Sequence, residues 1–321
     1  MAMEYGSIEG IDRPVSRLVL GTMAYRPEPE ERYVHWAGML DAFVAAGGNM
    51  FDTAHTYGGG RSEQTLGRWL RERGNREQVL ILDKGAHPQA GQPRRVTPDA
   101  IDADIAESME RLQTGYVDLY LLHRDDPSVP VGPIVECLNR HVAAGRLRAI
   151  GGSNWTSGRI DEANAYADAH GLQRFTASSP NLSLAVASEP LWPDCVTVDA
   201  KELRWYRERQ FPLLSWSSQA RGFFSGRFSP EQRDIDPDVT RAFYSDGNWE
   251  RLRRARELAA RKGTTPTRVA LAWVLRQPLP TFPLIGPLKP EELADSLAAL
   301  QVALSEEEMQ WLQLERETPA T

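Results

Sequence analysis

The chain alternates short apolar runs with longer amphipathic stretches from its first residues to its last. Runs rich in β-branched residues and leucine indicate buried strands, and apolar residues repeated every three or four positions indicate helices with one covered face. Strands are predicted at residues 17–22, 49–54, 79–84, 117–123, 147–154, 175–181, 212–218 and 281–286. Helices are predicted at residues 30–46, 62–73, 98–112, 133–144, 157–170, 199–210, 249–262, 266–277 and 290–300.

Eight alternating units favour an α/β fold with a parallel sheet closed into a (β/α)8 TIM barrel, which forms a single domain over residues 1–321. A doubly wound sheet is the alternative, but no predicted strand is followed by G-x-G-x-x-G. A long loop at 219–248 follows the seventh strand, and loops of that length usually have a function. A capping box predicts a C-terminal helix at 305–315.

Composition narrows the class of protein further. The 321 residues are 41% hydrophobic and 25% charged, as in an ordinary soluble globular protein. A net charge of −7 and a pI near 5.5 argue against a nucleic-acid partner. With only Cys137 and Cys195, a disulfide framework is not expected. No leader peptide or membrane-spanning segment is recognised, so a cytoplasmic protein without a membrane partner is predicted.

Four reactive side chains are predicted to meet at one end of the barrel. Asp52, Lys84 and His123 end the second, third and fourth strands, and the carboxyl ends of parallel strands share one face. Strand alternation directs Asp52 and Lys84 into the mouth, where the loop after Asp52 adds Tyr57. The pKa of a free phenol is about 10. We expect the adjacent ammonium to lower the pKa of Tyr57 and make it a proton donor. His123 is then placed to hydrogen-bond the oxygen that receives the proton.

The motifs FDTAHTYG, LILDKG, DLYLLHRDD and SNW resemble those of the aldo-keto reductase family, and the similarity runs from about residue 15 to about residue 300. The resemblance implies a (β/α)8 barrel that binds extended NADP(H) at the carboxyl face of the strands. It implies that Tyr57 is the general acid, that Lys84 and Asp52 tune it, and that His123 orients the carbonyl. Hydride would then come from the nicotinamide ring.

The resemblance also implies a set of cofactor-binding residues. These are Gly21, Thr22, Asp52, Ser153, Asn154, Ser179, Trp216, Ser217, Gln219, Gly222, Phe224, Gly226, Arg227, Gly286, Lys289, Glu292 and Ser296. Ser153 and Asn154 would hold the carboxamide, Trp216 would stack on the nicotinamide, residues 217–227 would close over the pyrophosphate, and residues 286–296 would grip a 2′-phosphate.

The sequence departs from the family pattern at three places. Asp83 stands where threonine commonly precedes the lysine, and Ser178, Ser179 or Asn181 takes the place of a glutamine, with Ser179 favoured. In the last segment only Lys289 is available to meet a 2′-phosphate, which Glu292 would repel. NADP(H) is therefore the expected cofactor, and NAD(H) or the use of both stays open.

Substrate residues are expected on loops that rim the mouth. They are Met23, Tyr25, His55 and Trp155, together with parts of the segments 124–130 and 223–243. A mouth with aromatic, basic and acidic members suits a small carbonyl compound, such as a sugar-derived or short aldehyde. No metal site is expected, because the six histidines show no ligand spacing with cysteine or acidic partners. Whether the chain has a protein partner is left open.

The leading hypothesis is an NAD(P)-dependent reductase of the carbonyl reductase or alcohol dehydrogenase type. A nicotinamide-sensing binding subunit of the same fold, with slow or no turnover, is the first alternative. Glycoside hydrolysis is a third hypothesis, but it needs two carboxylates about 5–9.5 Å apart. No second acid at a strand end stands opposite Asp52.

Overall fold

The structure is a computed structural model that describes residues 3–89 and 94–318. The strands are β1 Tyr5–Gly6, β2 Val15–Ser16, β3 Val19–Gly21, β4 Met50–Asp52, β5 Leu80–Gly85, β6 Val117–Leu122, β7 Leu147–Ser153, β8 Phe175–Ser179 and β9 Leu284–Ile285. The helices are α1 Glu30–Ala45, α2 Arg61–Arg73, α3 Pro98–Leu112, α4 Val131–Ala143, α5 Ser157–His170, α6 Ala200–Arg209, α7 Pro237–Phe243, α8 Asp246–Lys262, α9 Pro266–Leu275, α10 Pro290–Ala298 and α11 Glu306–Leu312.

The parallel strands form a closed ring. Their order is β8-β7-β6-β5-β4-β3-β9, so each strand from β3 to β8 lies beside the next one in sequence. Residues 212–218 close the gap between β8 and β9, where Leu213 bridges in parallel to Ser178 on one side and to Thr281 on the other. The chain is therefore a (β/α)8 barrel, as predicted.

The seventh strand of the ring is much shorter than predicted. Over residues 212–218 the pairing is reduced to isolated bridges at Leu213 and Trp216. Pro212 has no amide hydrogen to donate to a ladder, and Ser217 turns the backbone into the left-handed region with φ 49°. Pro212 and Ser217 thus limit the hydrogen-bonded strand pairing to the residues between them.

Side chains alternate between the inside of the barrel and the helix layer. Met50, Leu80 and Leu82 belong to the cluster that fills the inside, while Phe51 and Ile81 belong to the cluster shared with the helices. The inner cluster also includes Val19, Leu119, Leu121, Ala149, Ala177, Leu214, Phe282 and Leu284. Continued along β4 and β5, the same alternation points the last polar residues into the mouth.

The antiparallel β1–β2 hairpin covers the end of the barrel opposite to the mouth. Ile8 and Val15 join the inner apolar cluster, and the turn at Gly10 lies against the start of β7. Just after the hairpin, Arg17 donates from Nε to the carbonyl of Thr281 over 2.7 Å and from Nη2 to the carbonyl of Leu275 over 2.7 Å. These hydrogen bonds connect the residue before β3 to the chain that leads into β9, at the end of the barrel opposite to the mouth.

The helices bury one face against the ring. In α3, Ile101, Ile105 and Leu112 recur on the buried side, and Thr97 accepts a hydrogen bond from the amide of Ala100 as an N-cap. Truncating a buried isoleucine of this kind to alanine costs about 2–5 kcal/mol. Within the described part of the chain, no helix is both long enough and apolar enough to cross a membrane.

The segment 219–248, expected as a loop, is largely structured. It contains two tight turns within residues 220–225 that meet at a kink at Arg221 and Gly222, followed by the helix α7 and the first turn of α8. The ring of Phe223 packs against Trp249 with centroids 4.8 Å apart, and Asp236 caps α7 with its side chain. Short helices joined by polar turns carry little periodicity, which explains why the sequence pattern indicated a loop.

Candidate active site

The strand ends bring an acid, a lysine and a histidine to the mouth of the barrel. Asp52 is the last residue of β4, Lys84 is the fifth residue of β5, and His123 follows directly after β6. Their backbones are aligned by parallel pairing, in which Asp52 faces Leu82 and Lys84 faces Leu121. This alignment places all three side chains on the inner side of neighbouring strands.

Tyr57 reaches the same place from the loop after β4. Its amide donates to the carbonyl of Ala54 over 2.9 Å, which closes a tight turn. The following Gly58, Gly59 and Gly60 all have positive φ, and a side chain at Gly58 would collide with Arg26. The glycine run therefore bends the chain back toward α2 and leaves Tyr57 over the strand ends.

Lys84 connects these groups through its three ammonium hydrogens. Nζ donates a short hydrogen bond to Oδ1 of Asp52, donates to the carbonyl of Thr53 over 3.0 Å, and donates to the hydroxyl of Tyr57 over 3.2 Å. Lys84 and Asp52 are each only 2% exposed. The buried ammonium therefore has a counter-ion and a full set of acceptors, as a buried charge requires.

Opposing effects set the pKa values of this ion pair. Burial lowers the pKa of Lys84, but the charge of Asp52 and the hydrogen bonds to Asp52 and Tyr57 raise it, and the net pKa lies above its usual value of 10.5. Burial raises the pKa of Asp52 more than the Lys84 charge lowers it. We regard the pair as an ammonium and a carboxylate, because the ammonium finds three acceptors and Oδ1 of Asp52 receives one of its hydrogens.

The pKa of Tyr57 differs from our expectation. Burial raises the pKa of this phenol and outweighs the lowering effect of Lys84, while Asp52 adds a further increase. The sequence places an ammonium beside the phenol but does not show how deeply the phenol is buried. Tyr57 is consequently a neutral phenol that keeps its proton until a reacting group accepts it.

His123 is a neutral imidazole beside this phenol. Its ring lies edge-on to that of Tyr57, with centroids 5.6 Å apart. Burial lowers the pKa of His123 well below 6.5, and the positive charges of Lys84 and Arg124 lower it further. Among the described residues, its buried Nδ1 has no hydrogen-bond partner. A neutral ring of this kind can donate one hydrogen bond without adding charge to the mouth.

Asp83, the departure before the lysine, adds no charge to the mouth. It alternates with Lys84 on β5, so its side chain enters the helix layer, and it is fully buried. Burial raises the pKa of Asp83 well above 3.8, and the nearby carboxyl of Glu63 raises it further. Asp83 thus lies behind the strand, where burial favours its neutral form and its carboxyl group does not face the mouth.

Gly21 and Thr22 form the floor of the mouth next to Asp52. A side chain at Gly21 would lie 3.2 Å from the carbonyl of Ile285 and 3.8 Å from Oδ2 of Asp52. Thr22 donates from its amide and from Oγ1 to the backbone carbonyl of Asp52, both over 2.9 Å. Gly21 thus keeps space beside the carboxylate, while the polar atoms of Thr22 hold the strand ends together.

The structure also brings Ser153, Asn154, Ser179 and Trp216 together on the next side of the mouth. Asn154 Nδ2 donates to the carbonyl of His123 over 3.2 Å, and its Oδ1 accepts from Nε1 of Trp216 over 3.1 Å. Ser153 Oγ donates to the carbonyl of Ser179 over 2.9 Å. The amide of Asn154 is therefore used inside the protein, whereas the buried Oγ of Ser179 has no partner among the described residues.

The segment 217–227 has an unusual backbone. Ser217, Ala220, Arg221, Gly222 and Gly226 all have positive φ. Phe224 is 1% exposed and packs in the core, so its ring is placed to support the segment rather than to face a ligand. Arg227 is exposed and stacks on Phe228, with its guanidinium carbon 4.6 Å from the ring centroid.

A side-chain contact links this segment to α10. Gln219 Nε2 donates to Oγ of Ser296 over 3.4 Å. Oε2 of Glu292 accepts from the amide of Leu288 over 2.7 Å, which holds its carboxylate against the chain that enters the helix. Lys289 and Gly286 are exposed beside it. The predicted cofactor residues of both segments thus lie side by side.

Three of the four predicted substrate residues do not line the mouth. Tyr25 is buried and stacks on Trp36 with centroids 4.3 Å apart, because a turn after β3 directs it toward α1. Trp155 is completely buried, and its Nε1 donates to the carbonyl of Arg124 over 3.1 Å. His55 faces α3 and lies 2.9 Å from a carboxylate oxygen of Glu107. Met23 remains exposed near the strand ends.

Two basic residues lie near the mouth, of which the sequence indicated Arg124 only as part of the rim segment 124–130 and did not indicate His87. The ring of His87 lies 4.7 Å from that of His123, and its Nδ1 is 2.7 Å from the carbonyl of Pro88. Arg124 is 7% exposed and donates to the carbonyl of His123 over 2.8 Å. His87 is three residues after Lys84, and Arg124 directly follows His123. The sequence could therefore have indicated both residues through their closeness to a strand end.

Known proteins share this architecture. A family model described as the Aldo/keto reductase family matches residues 17–314. Norsolorinic acid reductase B of Dothistroma septosporum is 28% identical over 312 residues, which cover 92% of this chain and 77% of that protein. Aldo-keto reductase YhdN of Bacillus subtilis is 28% identical over 309 residues, which cover 91% of this chain and 87% of that protein.

A solved structure is similar over the full length. The glycerol dehydrogenase AKR11B4 from Gluconobacter oxydans has a TM-score of 0.77 and 25% identity, and the match covers 100% of this chain and 98% of that one. The family model covers nearly the whole barrel, including all four strand-end and loop residues of the mouth. The chain therefore belongs to the aldo/keto reductase family and is an oxidoreductase.

Proposed function

We propose that this protein reduces the carbonyl group of a small aldehyde or ketone with a nicotinamide cofactor, and that Tyr57 supplies the proton. The observation that carries the proposal is the position of Lys84 Nζ, which donates at once to Asp52 and, over 3.2 Å, to the hydroxyl of Tyr57. A neutral phenol next to a fixed positive charge suits a general acid, because the charge stabilises the phenolate that remains.

Each residue then has one task in the proposed reaction. Tyr57 gives its proton to the developing alkoxide, Lys84 stabilises the resulting phenolate, and Asp52 keeps Lys84 charged. The neutral ring of His123 donates a hydrogen bond that orients the carbonyl oxygen. Burial strengthens these interactions, because little water screens charges in the mouth.

The residues fit a nicotinamide cofactor, which when bound supplies the hydride. The unpartnered hydroxyl of Ser179 is suited to a carboxamide, Ser153 and Asn154 support it through their own hydrogen bonds, and the half-buried Trp216 offers a ring face. Gly21 leaves space beside Asp52. We propose that residues 217–227, including Gln219, Gly222 and Arg227, hold the pyrophosphate.

Residues at the first turn of α10 determine the preference for NADP(H) or NAD(H) in this proposal. We propose NADP(H), with Lys289 contacting the 2′-phosphate and Ser296 and Gly286 close by. Glu292 opposes this choice through its charge, although its carboxylate is engaged by the amide of Leu288. NAD(H) is the alternative, and it is favoured by the same carboxylate.

The proposed substrate is a small polar carbonyl compound, including sugar-derived or short aldehydes. His87, His123 and Arg124 surround the phenol with hydrogen-bond donors and one positive charge. Such groups suit a compound with hydroxyl groups near its carbonyl. The relatives named above act on different compounds, norsolorinic acid and glycerol, so the proposal rests on the residues of this mouth.

Replacing Tyr57 with phenylalanine tests the proposal. The variant should lose about 10²–10⁴-fold in kcat on a panel of small aldehydes and ketones, because it lacks the general acid. Fluorescence titration with NADPH and NADH should give cofactor affinities close to those of the parent protein. Undiminished carbonyl reduction by this variant would rule out the mechanism. Tight cofactor binding without turnover in the parent protein would instead support a nicotinamide-sensing subunit.

A further inference from the structure

A cluster of metal-binding side chains lies outside the mouth, between α3 and α4. Asp102 is on α3, and Cys137 and His141 are on α4. Cys137 and His141 are four residues apart, so they lie on the same face of the helix, one turn from each other. The expectation that no histidine has ligand spacing with a cysteine or an acid is therefore wrong.

The donor atoms of these three residues converge on one point. Oδ1 of Asp102 lies 2.6 Å from Nε2 of His141 and 3.2 Å from Sγ of Cys137. The three donor atoms all lie within 4.8 Å of one another. Cys137 is completely buried and His141 is 5% exposed, while the side chain of Asp102 is 45% exposed. The cluster is thus rigid on the α4 side and open to solvent on the α3 side.

The spacing is close to what a tetrahedral ion needs. Zinc binds cysteine sulfur at about 2.3 Å and histidine nitrogen or carboxylate oxygen at about 2.0–2.2 Å, which separates ligand atoms by roughly 3.3–3.7 Å. The observed contacts with Asp102 are shorter because they are hydrogen bonds. Asp102 needs to withdraw by about 1 Å to admit an ion of this size, and its exposed side chain has room to do so.

The charges also match a divalent cation. A thiolate, a carboxylate and a neutral imidazole carry a combined charge of −2, which a divalent ion cancels at a half-buried position. Arg146 Nη1 donates to Nδ1 of His141 over 3.3 Å, so without an ion the ring proton is on Nε2 and faces Asp102. Binding an ion at Nε2 moves this proton to Nδ1, and the exposed Arg146 then turns away to solvent. Arg140 reaches Oδ2 of Asp102 over 3.4 Å, but its side chain is 58% exposed and is free to move to solvent.

We propose that Asp102, Cys137 and His141 bind a zinc-class divalent cation that links α3 to α4, with water as the fourth ligand. Sulfur and nitrogen donors select such ions over magnesium and calcium, which prefer oxygen ligands. Binding replaces the thiol proton of Cys137 by the ion and releases that proton to solvent, without any change of oxidation state. The site is separate from the proposed reduction and does not depend on it.

Cobalt and zinc titrations of the full-length, metal-free protein test the proposal. Under reducing, oxygen-free conditions, Co²⁺ should produce an ultraviolet thiolate-to-cobalt band and visible bands of a tetrahedral ion, and both should saturate at one ion per chain. Zn²⁺ should displace the cobalt and raise the thermal midpoint of unfolding. X-ray absorption of the zinc-loaded parent protein should show a single sulfur among nitrogen and oxygen ligands, a measurement that needs no variant.

Matched variants assign the site to these residues. Cys137→Ser and His141→Ala should each weaken zinc binding by at least about 100-fold, because a direct ligand is worth more than the outer-shell partners that cost 10–100-fold. Cys195→Ser, which removes the other free cysteine, should bind as the parent does. The proposal is overturned if the parent protein gives no thiolate band, if zinc shows no sulfur ligand, or if Cys195→Ser abolishes binding.

Discussion

Asn154 at the end of β7 accepts a hydrogen bond from the indole Nε1 of Trp216 over 3.1 Å. The same side-chain amide donates to the carbonyl of His123 over 3.2 Å. Asn154 therefore contacts both the residue that follows β6 and the strand segment that contains Trp216. Its backbone has φ 59°, which asparagine tolerates better than most residues. Asn154 therefore holds the proposed stacking ring in position relative to the proposed catalytic imidazole.

We expect Trp216→Phe to weaken cofactor binding by about 2–10-fold, because a typical hydrogen bond is worth about 0.5–1.5 kcal/mol. The variant keeps a ring but loses the bond that orients it. Fluorescence titration with both cofactors measures the effect. Trp205→Phe is the control, since it removes a similar bond from Nε1 to Asp161 on the outer helices. Equal affinities in the parent and Trp216→Phe would contradict the assigned position of the ring.

Asp52→Asn should move the alkaline limit of activity to lower pH. Burial lowers the pKa of Lys84 and Asp52 raises it, so removing the charge of Asp52 should lower the pKa of Lys84. The ammonium is then lost at a lower pH, and we expect kcat/KM to fall earlier as pH rises. A pH profile of kcat/KM measures this shift. Asp168→Asn, at an exposed ion pair with Arg174, should keep the profile of the parent.

The low pKa of His123 makes folding stability depend on pH. Its pKa in the folded protein is well below 6.5 because the ring is buried and lies near Lys84 and Arg124, so the unfolded chain binds the proton more tightly. Stability is therefore complete above about pH 6.5 and is lost as pH falls toward the folded-state pKa. Urea unfolding at about pH 7.5 and about pH 5 should show that His123→Asn loses less stability than the parent. Exposed His170→Asn is the control, and a slope in His123→Asn identical to that of the parent would oppose this origin.

His87→Ala should impair substrate binding more than cofactor binding. The ring lies next to His123, and the carbonyl of Pro88 fixes its orientation through Nδ1, which leaves Nε2 for a ligand. Loss of one polar contact should raise KM for a hydroxylated aldehyde by about tenfold, corresponding to about 1.4 kcal/mol. An equal rise in KM for an aldehyde that lacks hydroxyl groups would show that His87 does not contact a hydroxyl group of the substrate.

Glu292→Gln should shift the preference toward NADPH. Glutamine keeps an oxygen that accepts from the amide of Leu288 but removes the negative charge next to Lys289. We expect the ratio of NADPH to NADH affinity to rise several-fold, as removal of a nearby like charge at an effective dielectric near 20–80 is worth about 1 kcal/mol. Glu291→Gln removes the charge of an exposed neighbour as the control. An unchanged ratio would place the 2′-phosphate elsewhere.

The barrel and the convergence of its strand ends were predictable because both depend on simple periodicities. Lys84 follows Leu80 and Leu82 on the inner side of β5, and alternation alone directs it to the mouth. Alternation makes no prediction for residues in the loops that follow the strands. Tyr25 and Trp155 were expected in the mouth because of their positions in sequence, but the turns after β3 and β7 bury them in the helix layer.

Other features depend on contacts that no local pattern contains. The pKa of Tyr57 required knowing how deeply the loop after β4 is buried. The shortness of the seventh strand follows from Pro212 and from the left-handed Ser217, and only the first of these is visible in the sequence. The spacing of Cys137 and His141 was visible, but Asp102 joins them only through the packing of α3 on α4.

The hairpin at the closed end has a consequence for synthesis of the chain. Arg17 makes its bond to the carbonyl of Thr281 across 264 positions, and Glu4 pairs with Arg276 over 2.9 Å. These links between distant residues are made only after residue 281 has left the ribosome, and such non-local contacts slow folding. Until β9 has been synthesised, β3 has no partner on one side, and the nascent chain exposes an unpaired strand edge.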